Sequence, residues 1–406
     1  MVHQPPAGAR DLLPLDVSQK RWIESRLQQV FGGWGYQRII TPSLERLDTL
    51  AAGGAIDLSS VVRVESEEDS GLGLRPELTA SIARAAVTRL ADTSLPLRLY
   101  YNANVFRRQT RAERVEITEG YQAGVELLGS GGVLADAEVL QLLTASLEAL
   151  GLGRSGLEQG CLVLGQAGLT RMLLEPFPTE QRQAVRRAIA ALDRISLEQL
   201  PLPEDLRQRA LALLDLRGEP DAVLARLDRL VESPTARTAS DDLRQLLTLL
   251  ADLPLPLVLD LSFLQDFDYY TGITFEVVYR TGSGPVVLAQ GGRYDQLLAL
   301  YDPQQRPWPG IGFSCDIEGL QQVLRSSGRL PNQAPTSSCL VVATAPGEQS
   351  RALATVRQQQ QAGERVELYL DPQLDIESVR QFARRRAIAT ILWLHPGQAP
   401  RTETLA

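Results

Sequence analysis

The sequence predicts an α+β fold: an antiparallel sheet flanked by helices, carrying a helical insert and followed by a small α/β domain. Three observations predict it. Apolar, aromatic segments with strand character come in pairs, "LRLYYNANVFRR" with "EGYQAGVELLG", and "ITFEVVY" with "VVLAQGG", the second pair joined by the glycine-rich "RTGSGP". From about 166 to 250 the pattern turns helical, with Leu or Ala three and four residues apart in "AVRRAIAALDRI", "DLRQRALALLDL", "DAVLARLDRLV" and "DDLRQLLTLLADL". After residue 338, "CLVVAT", "ERVELYL" and "IATILWL" alternate with helical segments, the order of a parallel α/β module.

The elements follow in order. Trp22, Ile23, Leu27 and Val30 share a helix face that closes at Gly32 and Gly33. "YQRIITPSLE" reads as a strand broken by Pro42, and "GLGLRPELTASIARAAVTRL" as a strand turning into a helix capped near Pro76. The polar "QTRAERVEIT" reads as a charged loop between the first pair of strands, and "ADAEVLQLLTASLEALG" as an amphipathic helix. "LVLDLSF" adds a strand, and the polar "SSGRLPNQAPTSS" reads as a linker. The expected domains are a core at 1–325, a linker at 326–338 and the small domain at 339–406.

A chain of 406 residues is long enough for two or three domains. A net charge of -8 argues against broad, sequence-independent nucleic-acid binding, which needs cations facing phosphates. Cys161, Cys315 and Cys339 are far apart and lack CxxC spacing, so neither a disulfide framework nor a thiolate metal site is expected. His3 and His395 lie near the chain ends, which leaves histidine-dependent catalysis and zinc binding without support; no metal and no cofactor is expected. The opening "MVHQPPAGARDLLP" lacks the apolar run of a signal peptide, and no stretch of about 20 apolar residues is present, so the expected location is cytoplasmic.

Polar groups are set into otherwise apolar segments at three places: Glu77 and Thr79 in "RPELTA", Gln122 and Glu126 in "YQAGVE", and Asp268, Tyr269 and Tyr270 in "DFDYYTG". Buried carboxylates need partners, and several on one sheet suit a ligand ammonium or an imidazole N–H. Solvent-facing strand edges, or internal ion pairs with Arg75 and Arg107, are the alternative. Arg107, Arg108, Arg111 and Arg114 cluster near the first hairpin, where they fit either a phosphate or RNA contact or a solvated loop. "QGGRYD" before Tyr294 fits either close backbone approach to a ligand or a plain β-bulge. "WPGIGFSCDIEGL" has the glycine spacing of a strand end open to a flat phosphorylated ligand, yet no cation follows before Arg325.

In this order, "FGGWGYQRIITPSLE", "LRPELTA", "VFRRQ", "YQAGVELLG", "DFDYYTGITFE", "QGGRYDQL" and "GIGFSCDIEGL" resemble the catalytic core of histidyl-tRNA synthetase, a class II aminoacyl-tRNA synthetase fold. The likeness covers residues 5 to about 325, and the small C-terminal domain is similar to that family's anticodon-binding domain, though short. The resemblance implies a dimer interface at the first motif and a histidine pocket. In that pocket Glu77, Thr79 and Gln122 face the α-ammonium, Glu126 and Tyr270 take the imidazole nitrogens, and Tyr294 closes the wall. Arg107 is the remaining candidate for the ligand carboxylate.

The catalytic positions depart from the family pattern. Gln265 stands where the arginine ahead of the "DYY" motif is expected, Gln109 replaces the glutamate of the second motif, and Gly319 replaces the arginine of the third. Losing a preorganised charge at a developing anion costs about 10² to 10³ in rate per group. A synthetase-like chain with the pocket and without the arginines resembles the family of ATP phosphoribosyltransferase regulatory subunits. That resemblance implies a non-enzymatic role in histidine biosynthesis: assembly of homodimers with a short-form catalytic subunit into a hetero-oligomer, and feedback inhibition by L-histidine. The alternatives are a working synthetase in which Arg108 or Arg111 reaches the phosphates, or a synthetase-like RNA-binding or signalling module.

Overall fold

The computed structural model describes residues 3, 5–52, 56–65, 71–111, 114–153, 160–263, 269–371 and 375–405, the side chains of 109–111, 114 and 115 excepted. The chain divides into two compact units, residues 1–12 with 19–330, and residues 13–18 with 331–406.

Helix α1 (Pro14–Gly33) buries Ile23, Leu27 and Phe31, spaced four apart and so on one face. β1 (Gln37–Arg38) and β2 (Leu44–Arg46) lie either side of Pro42, as the proline requires. α2 (Leu47–Ala51), β3 (Val62–Val64) and β4 (Leu72–Leu74) follow, and β2, β4 and β3 form a small antiparallel sheet. α3 (Thr79–Arg89) is preceded by Glu77, whose carboxylate accepts from the amides of Thr79 and Ala80. The helix start is therefore held at Glu77, one residue past the expected proline, because a carboxylate satisfies the first amides and suits the positive end of the helix dipole.

β5 (Leu97–Arg111) and β6 (Arg114–Leu128) pair along their whole length. The polar "QTRAERVEIT" is thus mostly strand backbone, not the loop its composition suggests. Beyond α4 (Val133–Ala149) and β7 (Gly160–Gln166) comes the helical insert: α5 (Ala167–Leu174), α6 (Thr179–Ala190), α7 (Arg194–Gln199), α8 (Glu204–Leu214), the two-residue β8 (Arg217–Gly218), α9 (Pro220–Leu227) and α10 (Pro234–Leu249). Asp193, Glu219 and Ser233 cap α7, α9 and α10, the last two with proline at the first turn. Its buried face, including Val185, Ile189, Leu213, Val223 and Leu243, joins the core under the sheet.

β9 (Leu257–Asp260), β10 (Ile273–Thr281), β11 (Gly284–Arg293) and β12 (Gly310–Asp316) complete the sheet before α11 (Ile317–Ser326). The nine strands run in the order β1-β5-β6-β12-β11-β10-β7-β9-β8, antiparallel except at β1/β5 and β7/β9. The bulge of this sheet falls between Val277 and Val278 and not in "QGGRYD", whose Gly291 and Gly292 keep regular pairs with Phe275 and Thr274.

The C-terminal unit holds β13 (Cys339–Ala343), α12 (Gln349–Gln361), β14 (Val366–Leu368), α13 (Ile376–Arg385), β15 (Thr390–Leu394) and β16 (Arg401–Thr404). Strands β14, β13 and β15 are parallel and β16 is an antiparallel edge. Leu340 and Val342 pack with Val379 and Ala383 of α13, while Cys339 and Val341 pack with Ala352 of α12. Period-two alternation along β13 thereby covers both faces with helices.

Candidate functional site

Four adjacent strands and the start of α3 converge on one buried carboxylate. Glu126 lies on β6 opposite Leu99 of β5 and Gly312 of β12, and its residue is only 1% exposed. Oε1 accepts from the Thr79 hydroxyl at 2.8 Å, and Oε2 accepts from the Tyr294 hydroxyl. Burial, reinforced by the Glu77 charge and opposed by those two hydroxyl donors, pushes the Glu126 carboxyl up to about 8. Burial likewise raises Glu77, although the α3 amides, the Thr79 side chain and the Arg107 charge pull the other way. Tyr101, Tyr269, Tyr270 and Tyr294 are all pushed up, first by burial, with the Glu126 charge and neighbouring groups adding to it, so they stay neutral hydroxyls at physiological pH.

The same cavity is lined by Glu77, Thr79, Arg107, Gln122, Glu126, Tyr270 and Tyr294, which are all of the expected pocket residues. Among the described residues no salt bridge joins Arg75 or Arg107 to these acids. Arg75 donates to the carbonyls of Thr41, Pro42 and Asn104, and Arg107 donates through Nε to the Pro76 carbonyl at 3.1 Å. Tyr101, Gln290 and Ser314 line the cavity as well, and nothing in their sequence context singled them out. Tyr269 forms another wall, its ring 4.7 Å from that of Tyr270 and edge-on to Tyr294 at 5.9 Å. The free space is small, about 30 Å³, room for a single water. The Tyr294 hydroxyl donates to Glu126 within it.

The glycines of the "WPGIGFSC" and "QGGRYD" segments make room for these side chains and not for a phosphate. A Cβ at Gly310 would lie 2.4 Å from the Tyr294 ring, and one at Gly292 would lie 2.7 Å from the Tyr270 ring. Tyr294 itself is held by a buried ion network. Arg293 donates to Asp136 of α4 at 2.7 Å and to Asp295 at 2.9 Å, and Asp295 accepts from the Gly310 amide.

A second cavity of about 480 Å³ adjoins the first and shares Arg107, Gln122, Gln290 and Ser314 with it. Among the described residues lining it, Arg107 is the single cation, against Glu119, Asp316 and Glu318. Glu318 accepts from the Tyr121 amide at 3.1 Å and, with Asp316 beside it, is raised by burial and mutual repulsion. Gly319 is buried, and a Cβ there would meet Asp316 Oδ2 at 2.9 Å. Arg108 is exposed and is not one of the lining residues. Gln265 and Asp268, and the side chains of Gln109, Arg111 and Arg114, lie outside the described residues. Among the described residues no group of three His, Cys, Asp or Glu side chains is placed to hold a metal ion, and no helix is long and apolar enough to cross a membrane.

Comparison with known proteins decides the family. The histidyl-tRNA synthetase family model matches residues 8–320. Along its whole length the chain is 60% identical to the ATP phosphoribosyltransferase regulatory subunit of Synechococcus elongatus, covering 98% of that protein. It is 51% identical to the regulatory subunit of Nostoc punctiforme, with both chains covered completely. The chain belongs to the ATP phosphoribosyltransferase regulatory subunit family. A solved structure named as an ATP phosphoribosyltransferase regulatory subunit/histidyl-tRNA synthetase from Bacillus halodurans superposes with a TM-score of 0.82 at 28% identity, over 98% of this chain and 100% of that one. A histidyl-tRNA synthetase from a Nostoc species superposes with a TM-score of 0.77 at 20% identity, over 99% and 97%, which establishes the shared class II synthetase-like fold. Members of this family are thus built on the synthetase scaffold, with the antiparallel sheet and flanking helices foreseen from the motifs.

Proposed function

We propose that this chain is the non-catalytic regulatory subunit of a cytoplasmic ATP phosphoribosyltransferase, required for the first step of histidine biosynthesis and responsible for its feedback inhibition by L-histidine. The observation that carries the reading is the contrast between two adjoining cavities on one sheet. The first keeps acceptors for an amino-acid cation and an imidazole; the second, where a synthetase would grip ATP, presents three carboxylates and one arginine. A triphosphate placed there would face repulsion where it needs cations.

Histidine enters the first cavity by displacing the Tyr294 hydroxyl from Glu126. Glu126 and Tyr270 then take the imidazole nitrogens, Glu77, Thr79 and Gln122 face the ammonium, and Arg107, which borders both cavities, meets the carboxylate. Opening of the Tyr294 wall is the conformational change that a partner can read, and a ligand that favours one conformation of a complex must bind that conformation more tightly. Partner and ligand are a short-form catalytic subunit and L-histidine, in a hetero-oligomer built around homodimers.

The test is co-purification with a short-form catalytic subunit from the same genome, followed by phosphoribosyl-transfer assays of each subunit and of the mixture. A stable complex whose activity exceeds that of the catalytic subunit alone is expected. No complex, or activity independent of this chain, overturns the proposal.

A further inference from the structure

We propose that the large cavity between the helical insert and the sheet binds a small phosphorylated nucleotide. It measures about 790 Å³, within the size range of small-molecule sites, and three of its lining residues are arginines: Arg171 of α5 with Arg182 and Arg186 of α6. Arg182 and Arg186 are four residues apart and share a helix face. Arg182 is fixed in advance, since it donates to the carbonyls of Glu175 and Phe177 at 2.9 and 3.1 Å, while its Nε is buried with no hydrogen-bond partner. Glu175 is the single acid among the described residues that line the cavity. A guanidinium held in place on a concave wall offers its remaining N–H donors to phosphate oxygens.

Phe263, Tyr269 and Tyr270 line the same cavity, together with Thr271 and Thr274. A flat ring stacks on aromatic side chains while hydroxyls read its edge. The cavity is concave and local, and the chain as a whole carries a charge of -8, so a small ligand fits these observations better than a nucleic-acid strand tracking a basic surface.

Tyr269 and Tyr270 line this cavity and the Glu126 pocket alike, and Arg171 donates to the Tyr270 carbonyl at 3.1 Å. A phosphate that engages Arg171 competes for that donor and shifts the wall the two sites share. Nucleotide occupancy therefore changes affinity in the Glu126 pocket; this coupling, unlike the site itself, rests on the histidine reading above.

Calorimetry on the full chain tests both parts, with AMP as the probe and no histidine present in the first titration. One AMP is expected to bind per chain. Affinity should fall about 10-fold or more in Arg182→Gln/Arg186→Gln. Arg186→Glu, at an exposed position, should weaken it in the same direction. Absence of AMP binding, AMP affinity unchanged in both variants, or single-stranded RNA binding through these arginines more tightly than AMP overturns the site. In the second titration, histidine is added to AMP-saturated protein. An affinity different from that of the AMP-free chain, and restored in Arg182→Gln/Arg186→Gln, is expected; an identical affinity overturns the coupling.

Discussion

Gly312 stands directly opposite Glu126 in the β12/β6 register, and a Cβ at Gly312 would lie 1.9 Å from Glu126 Oε2 and 2.4 Å from the Val125 carbonyl. The carboxylate occupies the space that the missing side chain leaves. Gly312→Ala should therefore expel Glu126 from its pocket. Because the second contact is backbone, no rotamer change relieves it, and a loss of about 1 to 3 kcal/mol of stability is expected alongside loss of histidine binding. Urea denaturation and calorimetry check this; wild-type affinity in Gly312→Ala would contradict it.

Histidine binding should release close to one proton at pH 7. With its carboxyl pushed up to about 8, Glu126 is mostly protonated in the pocket. Ionisation is favoured once it accepts an imidazole N–H. Calorimetry in buffers of different ionisation enthalpy measures the release, which should vanish in Glu126→Gln. Proton uptake, or no buffer dependence, would contradict it.

The same group governs stability in the opposite sense. A carboxyl raised by folding contributes stability in full below its unfolded value near 4.5 and loses it as pH rises through about 8. Ligand-free Glu126→Gln should accordingly gain stability over the parent at pH 9, up to about 5 kcal/mol, and gain nothing at pH 4. Thermal unfolding at the two pH values decides it.

Asp136→Ala should cost about 1 to 3 kcal/mol, since it removes one of the two carboxylates that satisfy the buried Arg293 guanidinium next to Tyr294 and leaves Asp295 as the other. It should also weaken histidine binding, because the residue that closes the pocket follows Arg293 directly. Chemical denaturation and a histidine titration of the same sample give both effects.

Histidine-dependent exchange of pyrophosphate into ATP should be absent, and Gly319→Arg should not restore it. The added Cβ meets Asp316, and the cavity keeps its three acids. Exchange in either protein would contradict the account.

Regular amphipathic spacing made most of the fold legible: Ile23 and Leu27 in α1, the helices of the insert, and the alternation of apolar strand segments with helices after residue 338. The length of β5 and β6 was not, because strands whose side chains are polar look like a loop in composition while their backbones pair in register to Arg111 and Arg114. In the site, motif order pointed to Glu126, Tyr270 and Tyr294. It could not show that Tyr101 completes the walls, since that role arises from contacts between distant segments, nor did it mark Glu77 as the acceptor for the first amides of α3. The glycines around 291, 310 and 312 look like openings for a ligand in sequence. Three-dimensional packing gives that space to Phe275, Tyr294 and Glu126.

The most direct test of the central claim is the rate of phosphoribosyl transfer by the reconstituted complex as histidine is raised, with the parent chain and with Glu126→Ala. The account predicts inhibition by histidine with the parent chain, and its loss in Glu126→Ala while the complex still assembles, the missing acceptor weakening the site by about 1 to 3 kcal/mol. Equal inhibition of both complexes, or none of either, would contradict it.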